Sequence, residues 1–218
     1  MGTVLMKTCH RSLRAGATLL KSLFVAIAVI ILGFVAVLLL SLTRVRGSAN
    51  RLTCVNNLKQ VGLAFRIYAG DYFDRYPMNI STNDKPVVDE MTPVYRYFQL
   101  ISNELGTPKV VVCPSDMRLW ASNFTNFGNG NVSYFIGLDG HKTLPKSILA
   151  GDRNITNGFA AKDGILQLTT KQKVRFTDEI HLKQGNIALG DGSVQHGLVY
   201  FTNAWTANVQ GDGLGWSA

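Results

Sequence analysis

The hydrophobic pattern changes character along the chain. From Ser22 to Thr43 there is no polar face, and twenty-two residues pass without a charge. A bilayer hydrocarbon core about 30 Å thick takes roughly 20 apolar residues to cross as a helix. In lipid a single span must satisfy its own backbone groups, which leaves only helix. This run therefore predicts a transmembrane helix. Beyond it the apolar positions become periodic: Leu52, Val55, Leu58, Val61, Phe65 and Tyr68 step by three or four, while Arg51, Asn56, Asn57, Lys59, Gln60 and Arg66 take the other faces. No proline intervenes before Pro77, and Gly70 is a natural stop. The expectation is one helix from about Ser22 to Ala69, roughly 70 Å long at 1.5 Å per residue. A break near Gly47-Ser48 is the alternative.

After Gly70 the period shortens. Residues 71–90 read as loop, and Thr92 and Pro93 offer an N-cap and first turn for a short helix ending at Gly106. Val110–Cys113, Val132–Leu138, Ser147–Ala150, Gly164–Leu168 and Asn186–Gly190 are short apolar runs divided by Gly, Asn and Asp, which predicts strands. Ile187–Gln195 reads as a hairpin whose Asp191-Gly192 suits a type I′ turn. Asn123–Asn131 reads as a loop, and Tyr200–Val209 as a short helix. The predicted organisation is a basic leader over 1–21, a membrane helix over 22–43, and a domain over 44–218. That domain comprises a helical spine (44–70) and an α+β part (71–218). The fold class is α+β.

Charge modifies this picture by segment. The net charge of +8 suggests nucleic acid only when taken whole. Residues 1–70 hold nine Lys/Arg and no acid; the remainder holds thirteen basic and fourteen acidic residues. The excess thus flanks the apolar run, where anionic headgroups sit, and nucleic acid is not an expected partner. Basic residues are balanced across the span, so they do not orient it. Cys9 lies on one side, Cys54 and Cys113 on the other. In an exported domain the latter two either pair as a disulfide or remain two thiols.

The segment Gly16-Ala-Thr-Leu-Leu-Lys-Ser-Leu-Phe-Val-Ala-Ile-Ala-Val-Ile-Ile-Leu32 resembles the N-terminus of type IV prepilins and type II secretion pseudopilins. Cys54-Val-Asn-Asn-Leu-Lys-Gln-Val-Gly-Leu-Ala64, Tyr68-Ala-Gly-Asp71, Tyr76-Pro77, Cys113-Pro-Ser-Asp116, Ser133-Tyr-Phe135 and Ala150-Gly-Asp-Arg-Asn154 are similar to a narrower group. These are the pseudopilin-like proteins of planctomycete and verrucomicrobial bacteria named for an H-x9-DG motif, here His181 and Asp191-Gly192. The resemblance implies a pilin-like fold, with the long N-terminal helix packed on an antiparallel β-sheet, and a cut by prepilin peptidase between Gly16 and Ala17, followed by N-terminal methylation. It also implies an inner-membrane protein with a cytoplasmic N-terminus and a periplasmic domain. Its partners would be other pseudopilin subunits and the secretion or pilus machinery. One departure stands out: Lys21 occupies the fifth position after the cut, where the family carries Glu. A cation facing a neighbour's terminal ammonium in lipid is repulsive, which argues against an ordinary repeating filament position.

His181 and Asp191 also invite a catalytic or metal reading, but general acid–base work needs convergent geometry that this spacing does not supply. Both are assigned structural roles with Gly192, and no enzyme activity, cofactor or metal is expected. Asp116, Asp139, Asp152 and Asp163 offer hard oxygen ligands without an EF-hand run, and no Cys/His set has zinc spacing. The expected function is a membrane-anchored pseudopilin-like assembly protein. The alternative is a membrane-tethered periplasmic binding module for a glycan or polypeptide, using the loop around Asn123–Asn131; a periplasmic hydrolase built on His181 is a third class.

Overall fold

The structure is a computed structural model. It describes residues 2–82, 85–86, 88, 92–169, 174–197 and 207–211. The chain divides into two units, Met1–Ser48 and Ala49–Ala218.

Helix α1 spans Gly2–Asp71, so the backbone stays helical through Gly47-Ser48. It begins well before the expected start at Ser22. In the first unit, every side chain described from 21 to 42 is exposed, including Phe24, Ile30, Leu32 and Leu40. Apolar side chains that no described residue covers need an apolar solvent. This helix, near the N-terminus, is long and apolar enough to cross a membrane.

The second unit takes the last turns of α1 as its spine. Strands β1 (Ser81–Thr82) and β2 (Lys85–Pro86) form a small hairpin, followed by helices α2 (Val94–Leu100) and α3 (Ser102–Leu105). The single short helix expected up to Gly106 is thus two. Gly106 ends them at φ +70°, a conformation open to glycine without a Cβ penalty. Then come β3 (Tyr134–Gly137), β4 (Ile148–Asp152), β5 (Ile155–Thr156), β6 (Ile165–Leu168), β7 (Arg175–Phe176), β8 (Gly185–Leu189), β9 (Val194–Gly197) and β10 (Ala207–Gln210). Six of these make one antiparallel sheet in the order β6-β10-β3-β4-β8-β9, and β5 pairs with β7 separately.

Alternation along the strands divides the core in two. On one face Tyr134, Ile136, Ala150 and Ala188 pack with Cys54, Leu58, Val61, Phe65 and Tyr68 of α1 and with Tyr97, Phe98 and Ile101. Phe65 meets the rings of Tyr76 and Phe98 edge-on at 5.7 and 6.3 Å. On the other face Phe135, Ile148, Ile187, Leu189 and Val209 pack with Ile155, Leu166, Leu168 and Phe176. A register shift between Ile148 and Ala150 lets Leu149 join Ala150 on the helix side.

Three local expectations are corrected. Val110–Cys113 is no strand: a 3-10 turn covers Pro108–Val111, because Pro108 fixes the first φ and Thr107 caps the turn through Lys109 N–H. In the tail, residues 207–209 belong to β10 rather than a helix, since pairing with β6 and β3 overrides local propensity; 200–206 lie outside the described residues. The Asp191-Gly192 hairpin is not type I′. Only Gly192 takes positive φ (+84°), Gly192 N–H bonds Leu189 O, and Leu189 N–H bonds Ser193 O. That is a type I turn with Gly192 in the left-handed position of a three-residue loop.

Candidate functional site: a buried latch between helix and sheet

Cys54 projects from α1 into the core because it shares a helical face with Leu58, Val61 and Phe65. The 3-10 turn at Pro108–Val111 delivers Cys113 against it, and the two are joined by a disulfide with Cα atoms 5.2 Å apart. Asn57 Nδ2 donates to Val112 O at 3.1 Å, pinning the same loop one turn along the helix.

His181 lies over the disulfide, with Nε2 3.3 Å from Cys113 Sγ and 3.6 Å from Asp152 Oδ2. A disulfide sulfur carries no proton, so the hydrogen of this contact sits on Nε2 and the imidazole donates. Asp152, fully buried, ends β4; its Oδ2 accepts from Asn186 N–H and Asn186 Nδ2, both at 2.8 Å. Its Oδ1 has no hydrogen-bond partner among the described residues. Burial pushes Asp152 up to about 7, against the lowering effect of the Asn186 bonds. Burial first, then the charges of Arg51 and His196, hold His181 down at about 4. Both shifts favour the uncharged forms, so the pair is not an ordinary ion pair.

Beside this cluster, Asp116 is gripped by Arg153 through Nε–Oδ2 at 2.8 Å and Nη2–Oδ1 at 2.9 Å. Arg153 also donates to Glu179 Oε2 at 2.7 Å. Burial alone would raise Asp116, but the hydrogen bonds from Arg153 and the charges of Arg153 and Arg118 outweigh it and hold the carboxyl below its usual range.

The other end of the H-x9-DG motif docks elsewhere on α1. A Cβ built on Gly62 would lie 3.4 Å from Gly192 Cα, so helix and hairpin meet backbone to backbone. Arg66 donates to Asp191 O, and buried Tyr76 Oη donates to Gly190 O at 2.8 Å. The Asp191 side chain turns away to accept Ser193 N–H at 2.8 Å. Hydrogen bonds from the Ser193 hydroxyl first, then its backbone N–H, hold the Asp191 carboxyl below its usual range.

The structure thus brings Cys54, Cys113 and His181 together and sets Asp191 and Gly192 at a second contact. Gly16 and Ala17 fall within α1, where side chains lie outside the described residues. The four aspartates considered for calcium form no ligand group among the described residues. The Asn123–Asn131 loop turns its aromatic rings inward: Phe127 is buried, with Tyr95 and Phe124 edge-on at 6.1 and 5.3 Å. Asp152 was considered only as one of four oxygen donors, and Arg153, Tyr76 and Gly62 were given no role. All four lie inside the Cys54–Ala64, Tyr76-Pro77 and Ala150–Asn154 motifs, which was the available signal.

What the fold and latch define is an α+β domain built on the last turns of a helix that also carries an apolar, exposed stretch over residues 22–42. Comparison with protein-family models, curated proteins and solved structures returns no match.

Proposed function

We propose that this protein is a membrane-anchored structural subunit of pseudopilin type, serving assembly in a type II secretion or type IV pilus-like system. The observation that carries the reading is α1: one helix supplies both an uncovered apolar stretch and the buried spine of an antiparallel α+β domain. The latch supports it, because its polar groups are spent on joining helix to sheet. His181 is buried against the disulfide rather than open to a substrate. The N-terminus is cytoplasmic and the domain periplasmic, where the disulfide is maintained. Lys21, exposed at the start of the apolar run, favours a tip or anchor position over a repeating shaft.

Single cysteines introduced along Ser22–Thr43 in a Cys9→Ser background test this. Oxidative crosslinking in membranes should give dimers or short ladders at positions on one helical face. Monomers at every position overturn it. The binding-module reading gains from a different surface than expected: Met117, Leu119 and Trp120 are exposed on the loop after Asp116, with Lys109 Nζ 5.2 Å from the Trp120 ring.

A further inference from the structure

The sequence shows no zinc spacing because the donors are far apart in the chain, 59 residues from Cys54 to Cys113 and 68 from Cys113 to His181. Folding brings them together. One donor atom from each of Cys54, Cys113 and His181 lies within 4.8 Å of the other two, and all three residues are buried. We propose that, whenever Cys54 and Cys113 are thiols, these three residues and Asp152 bind one zinc-class divalent ion, so that metal and disulfide are alternative occupants of the same position.

Donor chemistry selects the ion. Two thiolates, an imidazole and a carboxylate suit tetrahedral Zn²⁺ or Co²⁺ and not the oxygen-seeking Ca²⁺ or Mg²⁺. Geometry agrees. With metal–sulfur bonds of about 2.3 Å and metal–nitrogen bonds of about 2.0 Å, tetrahedral ligands stand about 3.5 Å apart for S···N and about 3.8 Å for S···S. Cys113 Sγ and His181 Nε2 are already at 3.3 Å, and Asp152 comes within 3.6 Å of His181 Nε2 through Oδ2, the oxygen that Asn186 holds, which leaves Oδ1 as the ligand. Among the described residues the group within 4.8 Å comprises only Cys54, Cys113 and His181, so the two sulfurs must part and the Asp152 carboxylate must swing in, both by side-chain rotation.

A second observation points to the same place. Asp152 is wholly buried, and one of its oxygens has no hydrogen-bond partner among the described residues, an expensive arrangement for a carboxylate with nothing to bind. Asn186, which holds the other oxygen twice, is the kind of outer partner that orients a ligating carboxylate.

The balance is complete for either origin of the thiols. A newly made chain carries two thiols; binding the cation releases their two protons, with the imidazole proton residing on Nδ1. Starting from the disulfide, a phosphine delivers two electrons. Its phosphorus takes oxygen from water as the phosphine oxide, the S–S bond breaks, and water's two protons go to the sulfurs.

The test uses the full chain carrying Cys9→Ser in detergent, unfolded in urea with a phosphine reductant and refolded with Co²⁺, because the site is buried. Expected are the visible d–d bands of tetrahedral Co²⁺ and a thiolate charge-transfer band, saturating at one ion per chain and bleached by Zn²⁺. Cys54→Ser should abolish the colour, and Asn186→Ala should weaken binding about 10- to 100-fold. The oxidised chain should take up none. Absence of saturable colour overturns the proposal, as does colour unchanged by His181→Gln or by oxidation. Circular dichroism of the metal-free reduced variants guards against a site lost merely through unfolding: a His181→Gln chain with native helix content and undiminished Co²⁺ affinity is refuting.

Discussion

With the disulfide closed, His181 and Asp152 titrate in opposite senses, and removing either should expose the other. His181 moves from its ordinary 6.5 to about 4, so between those values the folded state binds fewer protons than the unfolded chain. Stability then rises with pH through that window. Asp152 moves from 3.8 to about 7, so the folded state keeps a proton the unfolded chain has released, and stability falls as pH rises from about 4 to 7. At roughly 1.4 kcal/mol per pH unit the two effects are worth about 3 and about 4 kcal/mol. In the native protein they offset each other between pH 4 and 6.5. The groups that bear on the pair are Arg51, His196 and Asp116, together with the Asn186 amide. All remain in both variants and largely cancel in the difference. Asp152→Asn should therefore gain about 3 kcal/mol relative to its own value at pH 4 on reaching pH 6.5. His181→Gln should lose a similar amount over the same range. Urea unfolding of the full chain in micelles at half-unit pH steps reads this directly. Two variants with parallel profiles, or with slopes of the same sign, would refute the reasoning.

Two further predictions follow from single contacts. Replacing Cys54 and Cys113 together by Ala opens a loop of about 60 residues, costing about 4 kcal/mol in the chain-entropy model. A thermal midpoint roughly 10 °C lower is expected, and one unchanged within a degree contradicts a closed disulfide. Gly192→Ala meets both a φ of +84° and Arg66 Cδ at 3.1 Å from the new Cβ, so a loss of about 1–2 kcal/mol is expected in urea unfolding. A neutral result means that this turn is not held against α1.

Where local pattern and tertiary demand coincide, the chain could be read in advance. The apolar and amphipathic halves of α1, the strands around Ile136, Ala150, Leu166 and Ile187, and the α+β class all follow from periodicity alone. The misreadings share a cause. Val110–Cys113 has strand-like composition, but Pro108 and Thr107 commit it to a turn; Ala207–Gln210 has no strong strand signal and becomes central because β6 and β3 both need a partner. Turn type at Asp191-Gly192 depends on three-residue loop length, which composition does not reveal. Asp152 was harder still. Its interest lies in burial and in its distance to His181, and neither is encoded in spacing.

The spacing within H-x9-DG has a physical reading of its own. Its two ends touch α1 at Cys54 and at Gly62, eight residues or about 12 Å apart along the helix. Between them runs β8, five residues long, spanning about 13 Å. The motif length therefore matches a strand to two turns of the helix beneath it, with His181 and Gly192 as fixed points. Inserting Gly-Ser between Lys183 and Gln184 preserves the alternation of Ile187 and Leu189 but makes the two ends unable to seat at once. The loss should be several kcal/mol, since either the His181–Asp152–Asn186 cluster or the Tyr76–Gly190 and Arg66–Asp191 bonds must open. The same insertion between Gly158 and Phe159, in an exposed turn, lengthens a loop and should cost well under about 1 kcal/mol. Equal urea midpoints for the two insertions would mean that the motif's length is incidental to how sheet and helix are joined.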